Sequence, residues 1–578
     1  MPTPPTGRPG DHYAGFVPGT TTLPAGHRKR PQCRPLATDT ICDRDIPIST
    51  RDGAILRADV FRPITSSFAH PVPALLVWSP YGKSGAGLLG LSFMPARAGI
   101  PESALSGYEK FEGPDPAEWV PRGYAVVNID ARGVFDSEGD VRVLGAGEGE
   151  DGADAVEHIA SLPWCSGAVA LIGNSWLAMA TYHIAAQQPK GLKCVAPLEG
   201  ASDFYRETLC RGGVPQPGFW YAVAAGFSGR GKTEDPAQVA GMHPDWNEYW
   251  EDKRVDFEKI RVPAYVLASF STGLHTEGSV RCYEELRTAK WLTFHDTQEW
   301  YDLYSSKRNE ELAAFFEHFL KGVDNGFEKT PKVRAALLGY NEPNLTDVDL
   351  EDWPAPQTEY TKLFLSQNGS LADSSPREAG TISYQSDIQS EQKDADGEEI
   401  LFTHTFTKRS HLLGYSKASL YVSCPDHDDL DIFLQIRKAD KNGAMLRSQN
   451  IPLSVLKMSQ DQVPPLNILQ YLGPTGICRA SRRDLDEKLS KPYYPVPSLG
   501  KTEKIQPGDV VKLDIGIWPG GMIFEAGEKL VLKISGHPMT LAEFPQLWGS
   551  HKTENKGRHV VHFGGGTPSY VQVPFVEL

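Results

Sequence analysis

Val169-Ala170-Leu171-Ile172-Gly173-Asn174-Ser175-Trp176 is the stretch whose reading decides the fold of this chain. Its apolar start reads as a buried strand. Leu177 to Ala186, ahead of Pro189, reads as a helix. A serine on so sharp a strand-to-helix turn is a nucleophile elbow. The turn lifts the hydroxyl clear of the sheet and aims the first helical N–H groups at the place where an oxyanion forms. The usual spacing is G-x-S-x-G, and here Leu177 holds the place of the second glycine. A plain strand–turn–helix with a serine cap is the competing reading of the same residues.

Working outward, 578 residues imply two or three domains. A hydrophobic content of 40% and an aromatic content of 10% are those of a globular protein. The net charge of −15 argues against nucleic acid as a partner. The basic run His27-Arg28-Lys29-Arg30 is short, lies in a Pro/Gly-rich head and reads as a solvated tail. Eight cysteines are scattered without a C-x-x-C pair, which argues against a zinc site and against a disulfide framework. Buried thiols in a reducing compartment are expected, with no metal and no cofactor. Residues Met1 to Pro24 lack an apolar core segment. No apolar run approaches ~20 residues, so no membrane span is expected. A cytoplasmic protein acting on a small molecule is the resulting expectation, and a homodimer is compatible with it.

Residues 1–40 are rich in Pro, Gly, Thr and Arg and read as an irregular arm. Ile46 to Phe61 reads as a hairpin around Asp52-Gly53. Buried strands follow at Pro73–Trp78, Tyr124–Asp130, Leu192–Leu198 and Val262–Ser269, with helical patterns at Glu150–Ser161 and Glu310–Lys321. Strands alternating with helices predict an α/β, mostly parallel, doubly wound sheet over 41–204 and 259–345. Residues 205–258 break the rhythm with many aromatics and read as a helical cap insertion. From 354 to 578 the pattern is short alternating strands, which predicts an all-β sandwich or jelly roll.

Separated segments agree on a family. Tyr81 in Ser79-Pro80-Tyr81-Gly82-Lys83 is followed by Asp130-Ala131-Arg132-Gly133 running to Ser137-Glu138-Gly139. Leu162-Pro163-Trp164-Cys165-Ser166-Gly167 then leads into the elbow. Ser481-Arg482-Arg483-Asp484-Leu485-Asp486 and Ile517-Trp518-Pro519 follow in the tail. With these motifs the chain resembles the family of cocaine esterase and X-prolyl dipeptidyl peptidases. These are serine hydrolases with an α/β-hydrolase core, a helical cap and a C-terminal jelly roll. The resemblance covers roughly Cys42 to the C-terminus.

The resemblance implies that Ser175 is the nucleophile. It also implies that the Tyr81 phenol and the Trp176 N–H hold the oxyanion, with Trp176 standing where the family usually has Tyr. His295, after the strand-like Lys290–Phe294, is the expected base, because the order Ser then His suits this fold. His158 and His183 read as packing or surface residues, and His275 as a residue that could line the pocket. The acid departs from the family, since Thr272 stands at the Asp position. Glu299 is the expected substitute, on the premise that the loop after His295 turns helically and puts both on one face. Glu277, Asp296 and Asp302 are the alternatives. The expected activity is cleavage of a small-molecule ester, or less favourably an amide, through an acyl-enzyme. An acyltransferase or lyase using the same pocket, and a catalytically degenerate binding protein, are the competing readings.

Overall fold

The computed structural model describes residues 15–85 and 87–578. The first sheet has eleven strands. In chain order they are β1 (Gly19–Leu23), β2 (Thr40–Ser49), β3 (Ile55–Pro63), β4 (Val72–Ser79), β5 (Ala125–Asp130), β6 (Cys165–Asn174), β7 (Leu192–Leu198), β8 (Ala264–Ser269), β9 (Lys290–His295), β10 (Val333–Leu337) and β11 (Leu345–Leu350). Their spatial order is β1-β2-β3-β5-β4-β6-β7-β8-β9-β10-β11. From β5 to β10 every neighbouring pair is parallel. Helices cover both faces of a parallel sheet, so its strands can be apolar at every position. β5 and β8 are accordingly buried at every residue. The Asp52-Gly53 hairpin forms as expected, with Ser49 opposite Ile55 and Gly53 at φ 88°.

The arm expected to be irregular departs from its reading. Residues 1–14 lie outside the described residues, but Gly19–Leu23 is a strand that pairs antiparallel with β2. Thr20, Thr21 and Thr22 explain it, because β-branched side chains suit an extended edge even when they are polar and exposed.

The segment between β7 and β8 carries helices at Pro217–Ala224, Pro236–Met242 and Glu248–Asp252. The C-terminal region is a second eleven-stranded sheet, antiparallel except at Ser370–Thr403. Its strand Ser410–Ser423 pairs with Val511–Phe524 and also with Tyr570–Val576, which folds the sheet back on itself around its own apolar core. Among the described residues, no helix is long and apolar enough to cross a membrane. All eight cysteines are buried and unpaired.

The β domain is not an appendage. Tyr415, Ile451, Leu469, Tyr471 and Ile523 belong to the same apolar cluster as Val169 and Leu171 of β6. Backbone bonds Leu338 N–H to Gly521 O (3.0 Å) and Ile523 N–H to Leu338 O (3.1 Å) stitch the two sheets together. Residues 1–354 expressed alone should therefore expose a broad apolar face and be recovered insoluble. Soluble, monodisperse, active protein from that truncation would contradict the shared core.

Candidate active site

β6 ends in Gly173 and Asn174, and the helix Trp176–Ala186 starts one residue after Ser175. A Cβ on Gly173 would lie 2.4 Å from Leu177 Cδ2, so only glycine fits beneath the turn. Here Gly200 meets Ala178, whose Cβ would lie 2.7 Å from a Cβ at that glycine. Ser175 sits at φ 56°, its N–H donating to Glu199 O at 2.7 Å. Glu112 (φ 70°) and Glu199 (φ 64°) share this left-handed backbone conformation. Such conformations are unfavourable for these side chains and cluster where surrounding structure holds a functional geometry.

Ser175 shares its cavity wall with the Tyr81 phenol and the Glu112 carboxyl. Burial pushes the Tyr81 phenol well above its ordinary value, so it stays a neutral O–H donor. The Trp176 N–H, at the start of its helix, has no intrahelical acceptor and points with the helix dipole toward the same spot. Trp176 is anchored by its indole, which donates to Glu148 Oε1 at 2.9 Å; Trp78 donates to the same oxygen at 2.8 Å. Burial raises Glu148 to about 7.

His295 ends β9 and is buried. The carboxylate on it is Glu199, not Glu299: Glu199 Oε1 bonds His295 Nε2. Ser269 Oγ donates to Glu199 Oε2 at 2.9 Å, and Thr272 Oγ1 bonds Ser269 Oγ at 2.7 Å. The residue at the family's Asp position thus completes a network whose charge comes from the neighbouring strand end. Burial opposes the charged forms, yet His295 lowers Glu199 below its ordinary value. Likewise Asp302 and Glu199 raise His295 against its burial. His295 Nδ1 faces Thr297 Oγ1 at 3.4 Å, and among the described residues no hydrogen bond joins it to Ser175.

The expectation for Glu299 fails for a local reason. The helix begins only at Glu299, capped by the Gln298 side chain, so residues 295–298 do not form the turn that would stack Glu299 under His295. Glu299 instead sits 3.9 Å from His275 Nε2 and close to Glu112. Of the alternatives, Asp296 accepts from Asn344 at 2.9 Å, while Asp302 pairs with Arg308 at 2.7 Å and also lies 4.0 Å from His295 Nδ1. Glu277 lies away from Ser175, in a cleft against Arg211 and Lys491. His183 is buried in its helix, which lowers it to about 3.

Ser175, Tyr81, Glu112, Glu299 and His275 line one cavity of about 470 Å³, and His295 does not. Its remaining wall is mainly apolar, with Phe111, Phe204 and Met179 from the core and Phe219 and Trp220 from the segment read as a cap. Asn467, Glu543 and Phe544 of the β domain close the far side. Sequence reasoning missed Glu112 and Glu199. Glu199 had a readable signal, a charged residue directly at the carboxyl end of a buried parallel strand, where ligand sites gather. Glu112 lies in an irregular loop and had none.

Residues 52–241 match the X-Pro dipeptidyl-peptidase (S15) family, and residues 325–572 match the X-Pro dipeptidyl-peptidase C-terminal non-catalytic domain. The chain belongs to the cocaine esterase and X-Pro dipeptidyl-peptidase family. Cocaine esterase of Rhodococcus sp. is 27% identical over 409 residues, spanning 59% of this chain and 64% of that protein's length. A CocE/NonD family hydrolase from Staphylococcus aureus superposes with a TM-score of 0.86 at 26% identity, covering 97% of both chains. An α-amino acid ester hydrolase shares the fold, with a TM-score of 0.64 at 15% identity over 92% of this chain and 96% of that one. Membership makes the chain a hydrolase with an α/β-hydrolase core and a C-terminal β domain, as the resemblance implied.

Proposed function

We propose that this family member is a carboxylic-ester hydrolase that works through an acyl-enzyme on Ser175. The observation that carries the reading is the elbow serine at the floor of an apolar cavity, flanked by a phenol and a free helical N–H. Ser175 Oγ bonds to the ester carbonyl carbon, and the displaced π pair becomes an oxyanion between Tyr81 Oη and the Trp176 N–H. Collapse expels the alcohol, and water then releases the acid. An ester is favoured over a peptide amine terminus by the state of the cavity's carboxyls. Burial holds Glu112 and Glu299 well above their ordinary values and Glu543 at about 7, so they offer little fixed negative charge to an ammonium group.

Tyr81→Phe is expected to lower kcat by roughly 10²–10³, the usual cost of one oxyanion donor, with KM nearly unchanged. A loss confined to KM would make Tyr81 a binding residue. The broader reading is tested with a panel of aryl and alkyl esters and X-Pro amides, followed by intact mass and peptide mapping of fluorophosphonate-treated protein. Ester turnover with the label on Ser175 is the expected result. Amide turnover without ester turnover would overturn the substrate class, and a label elsewhere would overturn the nucleophile.

A further inference from the structure

We propose that a polar pocket between the core and the β domain, beside the Ser175 cavity, binds a carboxylate on the Arg211 guanidinium, and that the ester substrate supplies this group. The inference rests on the ester-hydrolase reading of Ser175. The pocket holds about 80 Å³, several times the roughly 10–15 Å³ that one water needs. Thr208, Phe219, Leu274, Asn467 and Glu543 line both it and the cavity of Ser175, so the two lie side by side. Arg211 opens the short turn Arg211–Gly213, which lies between β7 and the helix Pro217–Ala224. Gly212 has φ 61°, and a Cβ there would lie 2.0 Å from Ile477 O, so only glycine lets this turn press against the β-domain strand Thr475–Arg479. The turn thereby carries the Arg211 side chain into the β domain. Nη1 donates to Thr475 Oγ1 at 2.9 Å, Nη2 donates to Thr475 O, and Cζ lies 3.8 Å from the centroid of the Trp518 ring. These contacts hold the plane of the fork, yet none of them carries a negative charge. Among the described residues, no carboxylate pairs with Arg211. Burial lowers it to about 10, in the direction expected of a cation without a counter-ion, and leaves it charged at neutral pH.

The rest of the pocket offers polar atoms instead of a counter-charge. Gln435, fully buried on the strand Asp431–Ala439, lines it with both amide atoms unpartnered. His551 lines it too, and its Nδ1 is buried without a partner. Burial, and then the charge of Arg211, push His551 down to about 3, so it is a neutral imidazole. Buried polar atoms left unpaired are costly, and a ligand that bonds to them recovers that cost. The acids nearby are engaged or largely protonated. Glu207 accepts from Ser202 N–H at 2.6 Å and lies 3.7 Å from Arg281. Burial raises Glu277 to about 8 and Glu543 to about 7. A planar fork held on an indole suits the two oxygens of a carboxylate, and Gln435 Nε2 is a further donor beside it. One carboxylate also balances one guanidinium, whereas a phosphate monoester brings close to two negative charges. The substrate class is therefore an ester that bears a free carboxylate, with its scissile bond at Ser175 and its acid at Arg211.

The test compares aryl hemiesters of succinic, glutaric and adipic acid with the straight-chain aryl esters of equal length, on the full-length protein. At least one hemiester should exceed its neutral partner in kcat/KM by roughly 10-fold to 100-fold, as a charge-assisted hydrogen bond provides. Arg211→Met should bring that ratio to about one. The ratio is its own control, because a partly unfolded variant loses both substrates alike. Arg211→Lys, which keeps the charge and loses the fork, should restore part of the preference. Calorimetry on the Ser175→Ala protein reads the pocket without turnover: glutarate should bind, and adding Arg211→Met should abolish the heat. Glutarate binding beside equal rates on hemiesters and neutral esters would overturn the substrate as the source of the carboxylate. A wild-type ratio near one with no glutarate binding would overturn the proposal entirely, as would a preference that survives Arg211→Met. A protein that turns over no ester at all would instead sink the esterase reading, and the calorimetry would still report on the pocket.

Discussion

Ser175→Ala should leave a folded protein whose ester hydrolysis has fallen by about 10⁴-fold or more, since nucleophile and proton acceptor act as a unit. The substitution removes one hydroxyl from a residue 9% exposed. Alanine keeps the same Cβ, so the left-handed backbone at Ser175 is strained no further. Stability should therefore change by less than ~1 kcal/mol. Thermal melting beside initial rates on an activated ester checks both halves. An alanine variant with wild-type rate would end the elbow reading. One that fails to fold would mean the turn depends on the hydroxyl.

Glu199→Ala is expected to act first on stability. The carboxylate is fully buried, bonds His295 and Ser269, and belongs to the residue whose carbonyl holds the Ser175 N–H. Removing one member of a buried ion pair leaves the other uncompensated, at a cost of about 3–5 kcal/mol. The pair also sets a pH window. Glu199 is lowered from 4.5, so its contribution is present above the unfolded value and is lost as pH falls through the folded one. His295 is raised from 6.5, so its contribution is complete below that value and is lost as pH rises through the folded one. The pair thus stabilises most between 4.5 and 6.5. Chemical unfolding across pH should show the wild-type advantage over Glu199→Ala peaking there. A constant advantage would assign the loss to packing and backbone strain instead.

The elbow and the architecture were legible because periodicity carries them. Val169 to Ile172, Val126 to Ile129 and Val266 to Ala268 are apolar without alternation, as strands buried on both faces must be. The short alternating runs after Pro354 marked the second sheet. β1 escaped because three threonines in a Pro/Gly-rich head look like loop until a partner strand is present. The charged half of the site escaped for a different reason. Glu112 and Glu199 stand on left-handed turns, where neither a 3.6 nor a 2.0 period applies. Thr272 could be read as a vacancy, but which strand supplied the replacement depended on the register that brings Asn174, Leu198 and Leu267 abreast. Glu299 was misplaced by assuming a helical turn that begins four residues later than supposed.

The burial of all eight thiols has a practical consequence for watching the cavity open. Burial raises Cys42 to about 12 and Cys478 to about 12, for example, and so keeps them as unreactive thiols at neutral pH. A cysteine introduced on the surface would then be the fastest-reacting one, with no native residue removed first. Met242, 59% exposed on a helix between β7 and β8, and Trp548, 37% exposed on the β domain four residues after the cavity residue Phe544, offer two such positions. A pair of spin labels or fluorophores placed there would report the distance between the helical segment and the β domain. Recording it with and without a fluorophosphonate on Ser175 turns the separation of the two segments into a measurable coordinate.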